Sequence, residues 1–164
     1  MSVLLAYATH SGATRTLAEA MAAALEGEGR EVVLADVAAD PDPAPHEAVI
    51  AGSAVRGETV EKSFARWTRR HGEALVARPL AVFTCSGSAA DPEKRGRQRA
   101  MDRFLERTAL RPVATANLPG WVLMDRISAA ERTLLRAMGT PTGDFRDLAA
   151  AARWARGALP AATL

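Results

Sequence analysis

No lysine precedes Lys62 in this 164-residue chain, and cysteine, histidine and aromatic side chains are scarce throughout it. The single cysteine, Cys85, excludes an internal disulfide and any multi-cysteine metal cluster. His10, His46 and His71 show no ligand spacing, so no metal is expected. No apolar run approaches the ~20 residues that span a bilayer. The N-terminus enters a strand without a basic leader or cleavage site, which places the expected location in the cytoplasm. Aromatic residues are only 5% of the chain. With no RNA-binding aromatic motif, zinc-finger spacing or basic-zipper heptad, no nucleic-acid partner is expected. Glycine-rich nucleotide signatures are missing too. G-x-G-x-x-G needs three glycines and G-x-x-x-x-G-K-[ST] needs a lysine, whereas the first strand-to-helix turn contains Gly12 alone.

The length suits one domain over 1–164, since domains hold about 100–200 residues. A net charge of +2 hides an uneven distribution. Residues 1–61 carry three basic and ten acidic side chains, 62–111 twelve basic and five acidic, and 112–164 six basic and four acidic. The basic middle third suits an anionic ligand or surface, or is a solvated arginine-rich helix face.

The chain is organised around Thr9-His10-Ser11-Gly12-Ala13-Thr14, set between the apolar run Val3–Tyr7 and a helical pattern over Thr14–Glu28. A β-rich run, a hydroxyl-rich turn around one glycine and a helix present free backbone N–H groups to a phosphate. The same cluster also reads as an N-cap, with Ser11 or Thr14 capping the first turn. Glu31–Asp36 reads as a second strand ending in a turn residue, and Asp40–His46 as a proline-broken loop that exposes His46. Ala48–Ser53 is the third strand and runs into Ala54-Val55-Arg56-Gly57. Val60, Phe64, Trp67 and His71 share a helical face, which makes Trp67 a core residue and His71 a helix-end residue.

Pro79–Cys85 is the fourth strand, followed by the small residues Ser86-Gly87-Ser88-Ala89-Ala90. Cys85 reads as a buried small hydrophobe or, at a strand end, as a reactive thiol. A basic helix is expected over Pro92–Leu110, capped by Asp91, with Met101, Phe104, Leu105 and Thr108 inward. Pro112–Asn117 is the fifth strand, and Asp144–Leu159 the last helix. The expected architecture is α/β: a doubly wound five-stranded parallel sheet with helices on both faces. Where such a sheet has the order 2-1-3-4-5, the crevice lies between strands one and three, and Ser53–Gly57 and Ser86–Ser88 then face the same edge as Thr9–Thr14. An extra segment at about 120–142 follows strand five. Its leucines and arginines suit either a membrane-facing surface or a helix folded back with its leucines in the core.

The loop Thr9-x-Ser11-Gly12-x-Thr14, with Tyr7 before it and Ala18 after it, resembles the phosphate-binding loop of the flavodoxins. Three further stretches are similar to the flavodoxin-type, menaquinone-dependent protoporphyrinogen IX dehydrogenases: Val49–Gly57, Pro92–Arg95 and Met138–Asp144. The resemblance implies a flavodoxin-like fold with strand order 2-1-3-4-5, FMN as cofactor, a porphyrinogen-like or other anionic substrate, and a quinone or redox partner protein as acceptor. It also implies that the segment at 120–142 is that family's extended loop, with peripheral membrane contact. The implied cofactor residues are Thr9, His10, Ser11, Gly12, Ala13 and Thr14, with Ser53, Ala54, Val55, Arg56 and Gly57, and with Ser86, Gly87 and Ser88. The flavin carries the redox chemistry, and no side chain is expected as acid or base. Arg56 is expected beside the ring, favouring its anionic reduced form, while Lys94, Arg95, Arg97 and Arg99 receive substrate carboxylates. The second and third crevice loops carry no aromatic to stack on the ring, which leaves it open to a large substrate. A flavodoxin-type electron carrier and a flavin-free binding module of the same fold are the alternatives. Against the carrier stands the pI near 9.2, since an electron shuttle gains from an acidic surface around its flavin.

Overall fold

Strongly apolar runs alternate with amphipathic stretches along the chain, and each run becomes a strand covered by the stretch that follows it. The structure, a computed structural model, describes residues 1–91, 98–139 and 142–161, with the backbone alone at 122 and 124. In chain order the elements are β1 (Ser2–Ala8), α1 (Ala13–Gly27), β2 (Glu31–Asp36), β3 (Ala48–Arg56), β4 (Thr59–Val60), α2 (Lys62–Arg70), α3 (Gly72–Val76) and β5 (Leu80–Ser86). They continue with α4 (Arg99–Glu106), β6 (Ala114–Pro119), β7 (Trp121–Val122), α5 (Ala129–Ala137), β8 (Gly143–Asp144) and α6 (Leu148–Ala158).

The main sheet runs β2-β1-β3-β5-β6, all parallel, which is the expected order. Register aligns the carboxyl ends: Ala8 lies beside Ser53, Ser53 beside Thr84, and Thr84 beside Asn117. Because β2 and β3 flank β1 on opposite sides, the chain leaves β1 and β3 in opposite directions and a crevice opens between them.

The two-residue period of β1 sorts its side chains between two cores. Leu5 and Tyr7 face Leu17, Met21 and Leu25 of α1 and Ala151, Ala155 and Ala158 of α6. Leu4, Ala6 and Ala8 face Phe64 and Trp67 of α2 and Met101 and Phe104 of α4. Each fully buried Leu contributes roughly 2 kcal/mol of transfer free energy. Trp67 is a core residue, as expected, and its Nε1 donates to Pro41 O at 2.9 Å. His71 closes α2, and its Nε2 lies 2.8 Å from Asp40 Oδ1. Asp36 is the turn residue expected, accepting from Ala38 N at 2.8 Å.

Several boundaries differ from expectation for identifiable reasons. β3 continues past Ser53 because Val55 and Arg56 pair antiparallel with Val60 and Thr59, so Val60 sits on a strand, not on a helix face. β6 starts at Ala114, two residues later than expected, which lets Leu118 enter the core together with Ala114 and Ala116. α4 begins at Arg99, where the Gln98 side chain accepts from Ala100 N; the expected start at Pro92 falls outside the described residues. α6 starts at Leu148, capped by the Asp147 side chain, while Asp144 belongs to β8 and Leu148 is exposed. His46 is half-buried, with Nδ1 2.9 Å from Ser2 Oγ. The segment after β6 is anchored by β7 pairing antiparallel with β8, and no residue of its helix α5 is buried. Its leucines therefore do not enter the core. Among the described residues no helix is long and apolar enough to cross a membrane.

Candidate functional site

The loop between β1 and α1 turns on Gly12, whose φ of +102° lies in the left-handed region that glycine enters at little cost. Gly12 occupies the N-cap position of α1 without any side-chain cap, so neither Ser11 nor Thr14 does the capping. Thr9 Oγ1 instead accepts from Gly12 N at 3.0 Å and fixes the turn. The first turn of α1 therefore has no side-chain acceptor for its amides, at the positive end of the helix dipole. In the same turn Thr14 is buried, and its Oγ1 has no hydrogen-bond partner. An orphaned buried hydroxyl costs about 1–3 kcal/mol unless something accepts from it or donates to it.

Ser53 is fully buried, and its Oγ donates to Ala54 O at 2.8 Å while accepting from Glu61 N at 2.9 Å. That hydroxyl is spent on the β3–β4 hairpin. Ala54 and Val55 lie on β3, and Gly57, with φ +57°, makes the hairpin turn. Arg56 reaches back across the crevice: its Nη1 is 3.2 Å from His10 Nε2 and 2.6 Å from Glu131 Oε1 of α5. His10 Nε2 is itself 3.1 Å from Glu131 Oε1. The first loop, the hairpin and the inserted helix thus meet at one carboxylate. Arg56, the cation expected beside a flavin ring, is paired with a carboxylate of the inserted segment.

At the end of β5, Ser86 Oγ is shared among Ser88 Oγ, Asn117 Oδ1 and Gln98 Nε2, each at 3.1 Å, and it also accepts from Ala89 N at 3.3 Å. Thr84 Oγ1 donates to the same Asn117 oxygen at 3.1 Å. Asn117 Nδ2 remains buried without a partner. Gly87 precedes a short 3-10 turn over Ser88–Ala90. Lys94, Arg95 and Arg97 lie outside the described residues, as do Thr140 and Pro141; Arg99 is exposed on α4. Burial pushes the Cys85 thiol up to about 11, against the opposing pull of the nearby Thr14 hydroxyl, which falls short of hydrogen-bond geometry to it, and of the Arg146 charge. Cys85 is therefore a packed small residue and not a reactive thiolate.

The inserted segment supplies what the loops lack. Trp121 Nε1 donates to Ser11 Oγ at 2.9 Å, and a Cβ placed on Gly12 would stand 3.1 Å from Trp121 Cζ2. The guanidinium carbons of Arg126 and Arg146 lie 4.7 and 4.2 Å from the centroid of the Trp121 ring. None of these three residues is legible as a site residue in the sequence, since each lies more than a hundred positions from the loop it covers. Glu131 left a partial signal: Ser128-x-x-Glu131 is a capping-box pattern, and both of its hydrogen bonds are present.

The Arg56 guanidinium holds the Glu131 carboxyl well down, to about 2, with the Ser128 amide and His10 acting in the same sense. A carboxyl lowered on folding stabilises above its unfolded value, near 4.5, and loses that contribution as pH falls toward about 2. Thermal unfolding of the protein and of Glu131→Gln across that range checks this. The two should differ by a few tenths to about 1 kcal/mol at pH 7, since the pair is partly exposed, and should converge near pH 2.

The model of the family described as "Flavodoxin domain" matches residues 4–149. Protoporphyrinogen IX dehydrogenase [quinone] of Escherichia coli K12 is 24% identical over 151 residues, covering 90% of this chain and 83% of that relative. Among solved structures, oxidised flavodoxin 1 of Bacillus cereus superposes with a TM-score of 0.62 at 14% identity, covering 95% of both chains. Two-electron reduced flavodoxin of Megasphaera elsdenii gives 0.56 at 20% identity, covering 70% of this chain and 84% of that one.

Proposed function

The chain belongs to the flavodoxin domain family, and on that premise we propose that it binds FMN and acts as an oxidoreductase of the protoporphyrinogen-dehydrogenase type, with a quinone as acceptor. The observation that carries the reading is the first turn of α1, where uncapped amides, the left-handed Gly12 and the unpartnered Thr14 hydroxyl converge. A phosphate monoester satisfies all three, accepting from the amides and the hydroxyl at the positive end of the helix. Thr9, His10, Ser11, Gly12, Ala13 and Thr14 would hold that phosphate. Ala54, Val55, Arg56 and Gly57 would border the flavin on one side and Ser86, Gly87 and Ser88 on another, with Ser53 bracing the hairpin from within. FMN, when bound, supplies the redox chemistry that links an organic donor to an acceptor. The chain's own residues bind and orient it, and none of them serves as acid or base.

An enzyme is favoured over a carrier by the basic pI of 9.2 and by a β3–β4 hairpin and third loop without an aromatic, which leave room for a large anionic donor. The E. coli relative, named as a quinone-linked dehydrogenase, supports the same choice. Leu134 and Met138 are 59% and 68% exposed along and just beyond α5, interleaved with Arg132 and Arg136. That surface suits peripheral contact with an anionic bilayer holding the quinone.

The test is the absorbance spectrum of the purified protein before and after FMN addition, with a flavin-fluorescence titration. Saturable quenching is expected, weakened about tenfold by Thr14→Ala, the loss of one hydrogen bond to a charged ligand. Protoporphyrinogen oxidation should follow, faster with quinone in anionic vesicles than with a soluble quinone. FMN binding without turnover, together with reduction by a reductase, would indicate an electron carrier. No FMN binding at high concentration leaves a flavin-free binding module.

A further inference from the structure

The loop Thr9–Thr14 contains neither lysine nor arginine, yet two guanidinium groups stand over the tryptophan that packs on it. Their charges are not equally available. Arg146 is held in a bidentate pair with Asp144, at 2.8 Å through Nε and 2.6 Å through Nη2, and its Nη1 donates to Thr16 Oγ1 at 3.0 Å. Arg126 pairs with no carboxylate among the described residues. Its Nη1 would lie 3.9 Å from a Cβ on Gly12, the residue that opens the uncapped end of α1. Its guanidinium is kept there by stacking on Trp121, which is tied to Ser11 in turn.

We propose that Arg126 is a phosphate-binding residue, delivered by the inserted segment, that makes the site selective for a phosphorylated flavin over an unphosphorylated one. The inference rests on the FMN reading above and deepens it. A phosphate dianion at the α1 N-terminus would meet the backbone amides, the Thr14 hydroxyl and one uncompensated cation, and a guanidinium fork matches phosphate oxygens in shape as well as charge. Arg146 acts on Trp121 and not on the ligand: its charge is matched by Asp144, and it fixes the ring against which Arg126 lies. Riboflavin, which lacks the phosphate, gains nothing from Arg126. The inserted segment thus takes part in cofactor selection as well as in whatever its outer face contacts.

FMN and riboflavin are titrated separately into the protein, Arg126→Gln and Arg126→Lys, at low and high salt, following flavin fluorescence. FMN affinity is expected to fall about tenfold or more in Arg126→Gln, as for loss of a charged hydrogen bond, with riboflavin affinity changed by less than about twofold. The salt dependence of FMN binding should flatten in the Gln variant and persist in the Lys variant. An unchanged FMN-to-riboflavin ratio in Arg126→Gln, with FMN still bound, overturns this proposal and leaves the FMN reading intact. Failure of the unsubstituted protein to bind FMN overturns both. Equal loss of both flavins in Arg126→Gln also overturns it, since that would mark a structural role.

Discussion

Gly52→Ala should destabilise the protein by about 3 kcal/mol, the upper end of the cost of overpacking a well-filled core. Gly52 sits in β3 between Tyr7 of β1 and Phe83 of β5 in the sheet register. A Cβ there would lie 2.0 Å from Phe83 Cζ and 2.2 and 2.5 Å from the two Cε atoms, so the aromatic ring occupies the space above the glycine. Phe83 has no easy escape, being fully buried with its ring edge-on to Trp154 at 6.0 Å. For a chain of this size the loss corresponds to a melting temperature lower by roughly 6–12 °C. Denaturant or thermal unfolding measures it. Adding Phe83→Leu to Gly52→Ala should recover part of the loss, because the two sites are in contact and their effects do not add. A Gly52→Ala protein melting within about 2 °C of the original would show that the ring does not lie over the strand.

The second large effect is on binding. Gly12→Ala should weaken FMN binding about ten- to a hundredfold while costing only about 1–2 kcal/mol of stability, the strain of a non-glycine residue in the left-handed region. Two features distinguish Gly12 from the other glycines with positive φ. The added methyl would meet Trp121 Cζ2 at 3.1 Å, and the backbone it distorts carries the amide that Thr9 Oγ1 accepts from. Gly29, at φ +80° beyond the far end of α1, has no atom within 4 Å of its would-be Cβ. Gly29→Ala therefore isolates the strain alone and should leave FMN affinity within about threefold, a shift of well under 1 kcal/mol. Flavin titration of both variants beside their unfolding curves checks the contrast. Equal affinity losses in the two would mean that Trp121 does not pack on the loop.

The strands and helices were legible because each strand is a short apolar run and each helix carries its own period, both of them local signals, whereas the strand order came from the resemblance to the flavodoxins. The turn at Thr9–Thr14 was legible for the same reason, as hydroxyls around one glycine follow a strand directly. What the sequence concealed was set by contacts between distant positions. Arg56 reads as a residue of the second crevice loop, with no hint of Glu131, 75 residues later and 2.6 Å from it. Ser53 reads as a ligand-facing hydroxyl until the hairpin turns Glu61 N back onto it. Gln98 caps α4 and also joins the Ser86–Asn117 network, a double role that no local pattern announces. Trp121 follows a Pro-Gly pair that looks like an ordinary loop entry, and its placement over Gly12 depends on the β7–β8 pairing.

That pairing has a consequence for how the family can vary. Trp121 faces Asp144 and Val122 faces Gly143, so the excursion between them leaves and re-enters the domain through a two-rung neck. Once the neck is closed, lengthening the tether beyond it costs only the slow logarithmic growth of loop-closure entropy, about 0.6 kcal/mol per doubling. The segment beyond the neck buries no residue of α5 in the core, and its helix is tied to the rest of the domain through the Glu131 carboxylate, which meets Arg56 and His10. Chain length and outer-face chemistry there are free to drift while the crevice keeps its shape, provided that Trp121 stays at the neck and that Arg126 and Glu131 keep their places against the loops.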